Sequence, residues 1–227
     1  MDYQIIQMNQ NTWRIEDSGV RFFLLTGTEK ALLIDSGMRV TNAKEIAESL
    51  TDLPVSLLNT HADRDHIAGN AEFESFYMHP AERLDEGLRE RLIPIHDGDE
   101  MDLGGRPLRI IHLPGHTAGS VAVLDVGNRV LISGDPIQEH GRIFMFGDHR
   151  NMKDYIESLE RLDGMTADFD EIWPSHSDIP IRPDVIRRIA DGAKKIAAGE
   201  MTGTAEEVFG KTIVAYDLGF TVLLCEK

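Results

Sequence analysis

Leu57-Leu58-Asn59-Thr60-His61-Ala62-Asp63-Arg64-Asp65-His66 sets two histidines and two carboxylates into six positions directly behind an apolar run. An H-x-D-x-D-H arrangement is expected by chance only about 0.003 times in a chain of this size and composition, taking residues as independent. Imidazole nitrogens mixed with carboxylate oxygens suit zinc, iron or manganese, whereas calcium takes oxygens alone. Outward from this stretch, three more candidate ligands stand just beyond apolar, strand-like runs: His116 after 108–113, Asp135 after 130–132 and His176 after 171–173. Strand ends can gather along one edge of a packed sheet, and loops on a rigid scaffold are where binding residues concentrate. Seven side chains, His61, Asp63, Asp65, His66, His116, Asp135 and His176, suffice for two metals that share one bridging carboxylate.

The rest of the chain supplies those strands. Short β-rich runs at 3–8, 13–16, 20–25 and 31–34, broken by polar or glycine-containing turns, predict an antiparallel meander. Helical spacing of Ile46, Ala47 and Leu50 predicts a helix over 41–50, ended before Pro54, and a buried strand follows at 55–58. A helix is expected over 80–91 and a strand over 108–113. A tight hairpin of 121–124 with 129–132 is expected about Gly127-Asn128. Further helices are expected over 152–162 and 185–198. No Pro/Ser-rich linker divides the chain, so one domain over 1–227 is expected. The class is α+β: two sheets face to face with helices on the outer faces, because every apolar sheet face needs a cover. A doubly wound parallel sheet fits less well, given the early hairpins and the missing G-x-G-x-x-G.

Composition trims the functions. The 227 residues are 41% hydrophobic, enough for a substantial core and too apolar for a disordered chain. A formal net charge of −16 repels polyphosphate and anionic membranes at long range, which argues against nucleic acid as a partner. One cysteine, Cys225, excludes an intrachain disulfide framework and a cysteine-based zinc site. No run approaches the roughly 18 apolar residues of a membrane span, and residues 1–11 lack an export-signal pattern. A cytoplasmic protein acting on a small molecule, with a homo-oligomer left open, is the expectation.

With those residues in place, the chain resembles the metallo-β-lactamase-fold hydrolases, in their glyoxalase II-like and lactonase-like branch. The matching motifs are Leu32-Leu33-Ile34-Asp35-Ser36-Gly37, His61-Ala62-Asp63-Arg64-Asp65-His66, Pro114-Gly115-His116-Thr117-Ala118-Gly119-Ser120, Ser133-Gly134-Asp135 and Pro174-Ser175-His176. The resemblance implies an αββα sandwich of two mixed sheets with the metals at one edge. It also implies one site of His61, position 63 and His116, a second of Asp65, His66 and His176, and Asp135 bridging.

The departure is Asp63, where the family's usual motif has histidine. The ring nitrogen through which that histidine binds and an aspartate oxygen both lie one bond past Cγ, so the reach is comparable. Two divalent ions are expected, zinc first. The added negative charge of Asp63 favours harder ions such as iron or manganese and a less acidic metal-bound water.

The mechanism that follows is attack of a metal-bound hydroxide on a small ester, thioester, lactone or amide carbonyl, with Asp65 and Asp135 as the catalytic carboxylates. The residues after His176 are too few for the helical domain that glyoxalase II-like enzymes append, so a strict glutathione thioesterase is not expected. A second reading from a different class is a non-hydrolytic diiron protein of the same fold that binds oxygen or nitric oxide, since glutamate holds position 63 in the superfamily's diiron members. A third is a metal-free binding module. His79, His96 and His112 read as structural, and Arg187, Arg188, Lys194 and Lys195 as a solvated helix face. The loop 136–149, with His140 and His149, either lines a pocket or completes the core.

Overall fold

The computed structural model describes residues 3–227; the first two residues of the expected domain lie outside it. The predicted meander forms as β1 (Tyr3–Asn9), β2 (Thr12–Asp17), β3 (Val20–Thr26) and β4 (Ala31–Ile34), all antiparallel. After α1 (Ala43–Glu48), β5 (Val55–Leu58) joins β4 in parallel; β6 (Phe76–Met78), α2 (Glu86–Arg89) and β7 (Leu92–Pro94) complete a mixed seven-stranded sheet. The second sheet is also mixed. It holds β8 (Glu100–Asp102), β9 (Pro107–His112), β10 (Val121–Asp125) and β11 (Val130–Gly134), which are antiparallel neighbours. Beyond β12 (Arg142–Met145) and α3 (Met152–Asp163) comes β13 (Glu171–Pro174), parallel to β11 and the fifth strand of that sheet.

Side-chain alternation sorts the apolar runs into layers. Phe23, Leu25, Leu32, Ile34 and Leu58 point inward and meet Leu108, Ile110, Val121, Val123, Ile132 and Trp173 of the second sheet. Their neighbours Phe22, Leu24, Leu33 and Leu57 point outward, under Ala43, Ile46 and Ala47 of α1. On the far side, Ile111, Ala122, Leu124 and Leu131 are covered by Tyr155, Leu159 and Leu162 of α3 and Ile186 and Ile189 of α4 (Val185–Ala197). Strands buried on both faces read as continuous apolar runs, which is why 20–25 and 31–34 were visible without strict alternation. The result is the expected α+β sandwich, helix–sheet–sheet–helix.

Two local expectations differ from the structure, and a third feature was not anticipated. Only residues 86–89 of the predicted 80–91 helix are helical: Asp85 is extended and its side chain accepts from the Leu88 N–H, which starts the helix there, while the buried carboxylate of Glu82 accepts from the backbone N–H groups of Ala62 (3.0 Å) and Gly119 (2.9 Å). The β10–β11 connection spans residues 126–129 rather than two residues, held by Asn128 Nδ2 donating to Asp125 Oδ2 at 2.7 Å. The third is a small sheet that the sequence reading lacked, in which β14 (Thr204–Val208), β15 (Lys211–Asp217) and β16 (Val222–Glu226) pair in order and β16 takes β12 in parallel. Ile143 and Met145 of β12 point into the helical core, while Phe144 packs on the opposite face against Ile213, Ala215 and Leu224.

Arg106 fastens the two main sheets together. Its guanidinium donates to Asp125 Oδ2 at 2.9 and 2.6 Å, to Thr12 Oγ1 at 2.7 Å, and to the carbonyls of Asn11 and Thr26 at 2.6 and 3.0 Å. Both charges are buried, with only 6% and 2% of the two side chains exposed. Arg106→Met is expected to destabilise the fold by about 3–5 kcal/mol, because it leaves a buried carboxylate without its cation. Adding Asp125→Leu is expected to recover much of that loss. Urea unfolding of the single and double variants measures both.

Candidate metal centre

All seven sequence-predicted residues come together at one edge of the sandwich. They form two groups, His61, Asp63, His116 and Asp135, and Asp65, His66, Asp135 and His176, each with its ligand atoms within 4.8 Å of one another. In the first, Asp63 Oδ2 is 3.5 Å from both His61 Nε2 and His116 Nε2, and Asp135 Oδ2 is 3.9 and 3.6 Å from the same atoms. In the second, Asp135 Oδ1 lies 3.1 Å from His66 Nε2 and 3.3 Å from His176 Nε2, with Asp65 Oδ2 3.6 and 3.2 Å from them. Asp135 thus gives one oxygen to each group. Four ligands at about 2.1 Å in a tetrahedron stand about 3.4 Å apart, so these separations suit a small first-row cation in each group.

Buried polar atoms test the fit independently. His61 Nε2, His66 Nε2, His116 Nε2 and Asp135 Oδ1 are buried without a hydrogen-bond partner among the described residues. Such atoms cost about 1–3 kcal/mol each when left unsatisfied, and a pair of cations would satisfy all four at once. The donor set therefore fits two divalent ions.

The opposite ring nitrogens are all engaged. His61 Nδ1 lies 3.0 Å from Thr60 Oγ1, His66 Nδ1 2.8 Å from Asp35 Oδ2, His116 Nδ1 2.9 Å from the Phe144 carbonyl and His176 Nδ1 2.8 Å from the Gly19 carbonyl. An N–H at each Nδ1 donates to these oxygens and leaves Nε2 as the lone-pair nitrogen facing inward, the state a metal ligand needs. Thr60 relays one such contact: its hydroxyl donates to Asp35 Oδ2 at 2.8 Å while its own backbone N–H donates to Asp35 Oδ1 at 2.7 Å. Asp35 is buried and holds φ at +66°, a left-handed conformation seldom adopted by a residue other than glycine. That turn at the end of β4 aims its carboxylate across to the His61 loop.

Electrostatics follows from burial. Burial pushes His116 down to about 4, with the nearby charge of Arg150 adding to the effect. His176 is pushed up to about 10: burial opposes this, but Asp135 and Asp65 beside it favour the imidazolium, so a cation at this group would take the place of the proton on Nε2. Asp135 is held well below the usual carboxylate range by His176 and His66, against its own burial.

The sequence reading quoted Asp35 in a motif without giving it a task, and it missed Arg150 and Glu82. Arg150 donates from Nη2 to Asp63 Oδ2 at 2.5 Å and from Nη1 to the His116 carbonyl, with 6% of its side chain exposed. Nothing local in the sequence marks it, since its partner is 87 positions away. His149 Nε2 lies 3.7 Å from Asp63 Oδ1, so the end of the 136–149 loop does reach the centre. A cavity of about 190 Å³ opens beside it, lined in part by Asp63, Glu82, Arg83, Thr117 and His149. His140 stays away, pairing with Asp178 at 2.7 Å on the surface. His79 stacks on His112 at 3.9 Å, with His96 at 5.6 Å, outside both groups. Arg187, Arg188 and Lys194 are spent in ion pairs with Asp163, Glu139 and Glu160.

Comparison with known proteins identifies the family and the fold. The description "Metallo-beta-lactamase superfamily" matches residues 16–169, and the chain belongs to that superfamily. It is 26% identical over 195 residues to the human protein named acyl-coenzyme A thioesterase MBLAC2, covering 66% of this chain and 70% of that one. It is 32% identical over 143 residues to a hydroxyacylglutathione hydrolase of Gloeobacter violaceus, covering 59% and 55%. Among solved structures, a metallo-beta-lactamase from Pontibacter korlensis superposes with a TM-score of 0.72 at 15% identity, over 85% of this chain and 99% of that one. At that identity the likeness speaks for the fold.

Two substitutions probe the construction of the centre. Asp35→Ala is expected to weaken metal binding about 10- to 100-fold, since it frees His66 to rotate; competition with a chelator measures it. Gly115 has φ +135° and lies so close to the Tyr155 backbone that a Cβ would collide with it. Gly115→Ala should push the His116 loop off α3, lowering both metal content and melting temperature.

Proposed function

We propose that the protein is a metal-dependent hydrolase of small carbonyl compounds, with acyl thioesters as the first substrate class to test and lactones, other esters and amides behind them. The observation that carries this reading is the set of four buried, partnerless atoms, one from each of His61, His66, His116 and Asp135, converging on one space. The names of the two relatives support the choice of thioester, since one is a thioesterase of acyl-coenzyme A and the other acts on hydroxyacylglutathione. No described helix is long and apolar enough to cross a membrane, and we take the setting to be cytoplasmic.

His61, Asp63 and His116 would hold one ion, Asp65, His66 and His176 the other, and Asp135 both. Zinc is the first candidate. Ions in such sites polarise a carbonyl and lower the pKa of bound water far below that of bulk water, to about 7. The chain's own residues do the rest: Asp35, Thr60, Phe144 and Gly19 fix the imidazole tautomers, and Asp135 sets the spacing of the two groups. Thr117 and Glu82 bound the opening through which a substrate would enter beside Asp63.

A panel of thioesters, lactones, esters and β-lactams, run with metal-loaded and chelator-stripped protein, tests the reading. Hydrolysis of at least one thioester is expected, abolished by stripping, restored by zinc and reduced 100-fold or more by Asp135→Asn. An inactive panel together with an oxygen-responsive visible band in the iron-loaded protein would replace it with the diiron reading.

A further inference from the structure

Asp63 is the one carboxylate at the centre that also faces a guanidinium. Its Oδ2 lies 3.5 Å from the inward nitrogens of His61 and His116 and accepts from Arg150 Nη2 at 2.5 Å. The other two carboxylates have no such partner: the ion-pair contacts of Asp65 are with His66 and His176, and those of Asp135 with His61, His66, His116 and His176.

Arg150 is held with little freedom. Its side chain is almost wholly buried, and a second N–H group donates to the carbonyl of His116, itself a member of the same group. It stands directly before Asn151, whose side chain caps α3 by accepting from the N–H groups of Lys153 and Asp154 at 2.9 and 3.1 Å. The Asn151 backbone N–H donates to the Gly115 carbonyl at 2.8 Å. Helix, cap and ligand loop therefore fix the guanidinium against Asp63.

Charge explains why such a cation is there. Two divalent ions against Asp63, Asp65 and Asp135 leave a single positive charge, and Arg150 raises the sum to two. That is the sum a neutral imidazole at position 63, of the kind present at 61 and 116, would give without Arg150. The sequence-level case for harder ions counted Asp63 without this partner; on charge alone the site is no more anionic than one with histidine there.

We propose that Asp63 and Arg150 form one electrically neutral ligand unit that takes the place of an imidazole, with Arg150 as a positioning residue that aims the carboxylate at the His61–His116 group and cancels its charge. The proposal rests on the metal centre described above but not on the identity of the substrate. It has a consequence that a plain surface ion pair lacks. Histidine at position 63 should bind metal poorly while Arg150 remains, because a buried cation would then face the ions with no anion between them.

The test is a double-substitution cycle read by zinc affinity against a competing chelator and by melting temperature of the metal-free protein. Asp63→His alone is expected to weaken zinc binding at this group about 100-fold and to lower the melting temperature. Adding Arg150→Met is expected to bring the affinity back to within about tenfold of the original chain and to recover the melting temperature. Arg150→Lys, which keeps the charge, should stay within about tenfold of the original. Should Asp63→His bind zinc as tightly as the original chain with Arg150 in place, or should the double variant bind no better than Asp63→His, the neutral unit is wrong. If Asp63→His does not fold, the folded double variant and Arg150→Lys still decide, because loss of zinc from both contradicts the proposal. Failure of the hydrolysis panel leaves this outcome untouched, since no readout here uses substrate.

Discussion

Asp135 is a buried carboxylate within 4 Å of four imidazoles, and that arrangement governs the rest of the molecule. A charge taken out of water must be paired or coordinate a cation. The protein meets part of this need with imidazoles, yet one oxygen of Asp135 and three inward ring nitrogens remain without hydrogen bonds. Metal binding and local stability are therefore coupled, because the ions would satisfy groups whose burial otherwise costs folding free energy.

The sandwich exists, in functional terms, to hold those groups at one edge. The β5, β9, β11 and β13 strands end near one another because the parallel and antiparallel pairings of the two sheets bring their C-terminal ends to the same side. Each candidate ligand then needs only a short loop. The orienting groups come from elsewhere in the chain: Asp35 from the end of β4, the Gly19 carbonyl from the turn before β3, and the Phe144 carbonyl from β12. The small third sheet thus has a role at the centre, since its outermost strand supplies the carbonyl that sets the His116 tautomer.

Much of this was legible in the sequence because the signals were local. His61 to His66 lie within one loop, and apolar runs buried on both faces announce β3, β4, β10 and β11 without long-range information. The helix expected over 80–91 is shorter in the structure because Asp85 caps it from within that span, and the segment before it carries Glu82 to partners in two loops distant in sequence. Of the strands after residue 200, 204–208 is polar and half-exposed, so only pairing with 211–217 makes it a strand, whereas the apolar run 222–225 carried a local signal that the sequence reading passed over. Arg150 was invisible because a cation beside an N-cap reads as solvated surface, and only the folded chain sets it against Asp63.

The central claim is that two cations sit where the Nε2 atoms of four histidines and the two oxygens of Asp135 converge. Anomalous X-ray diffraction at the zinc edge, from crystals grown with zinc, tests it most directly. The account predicts two peaks, one among His61, Asp63 and His116 and one among Asp65, His66 and His176, with Asp135 between them. Absence of anomalous density there, with zinc seen only at surface carboxylates, would contradict it.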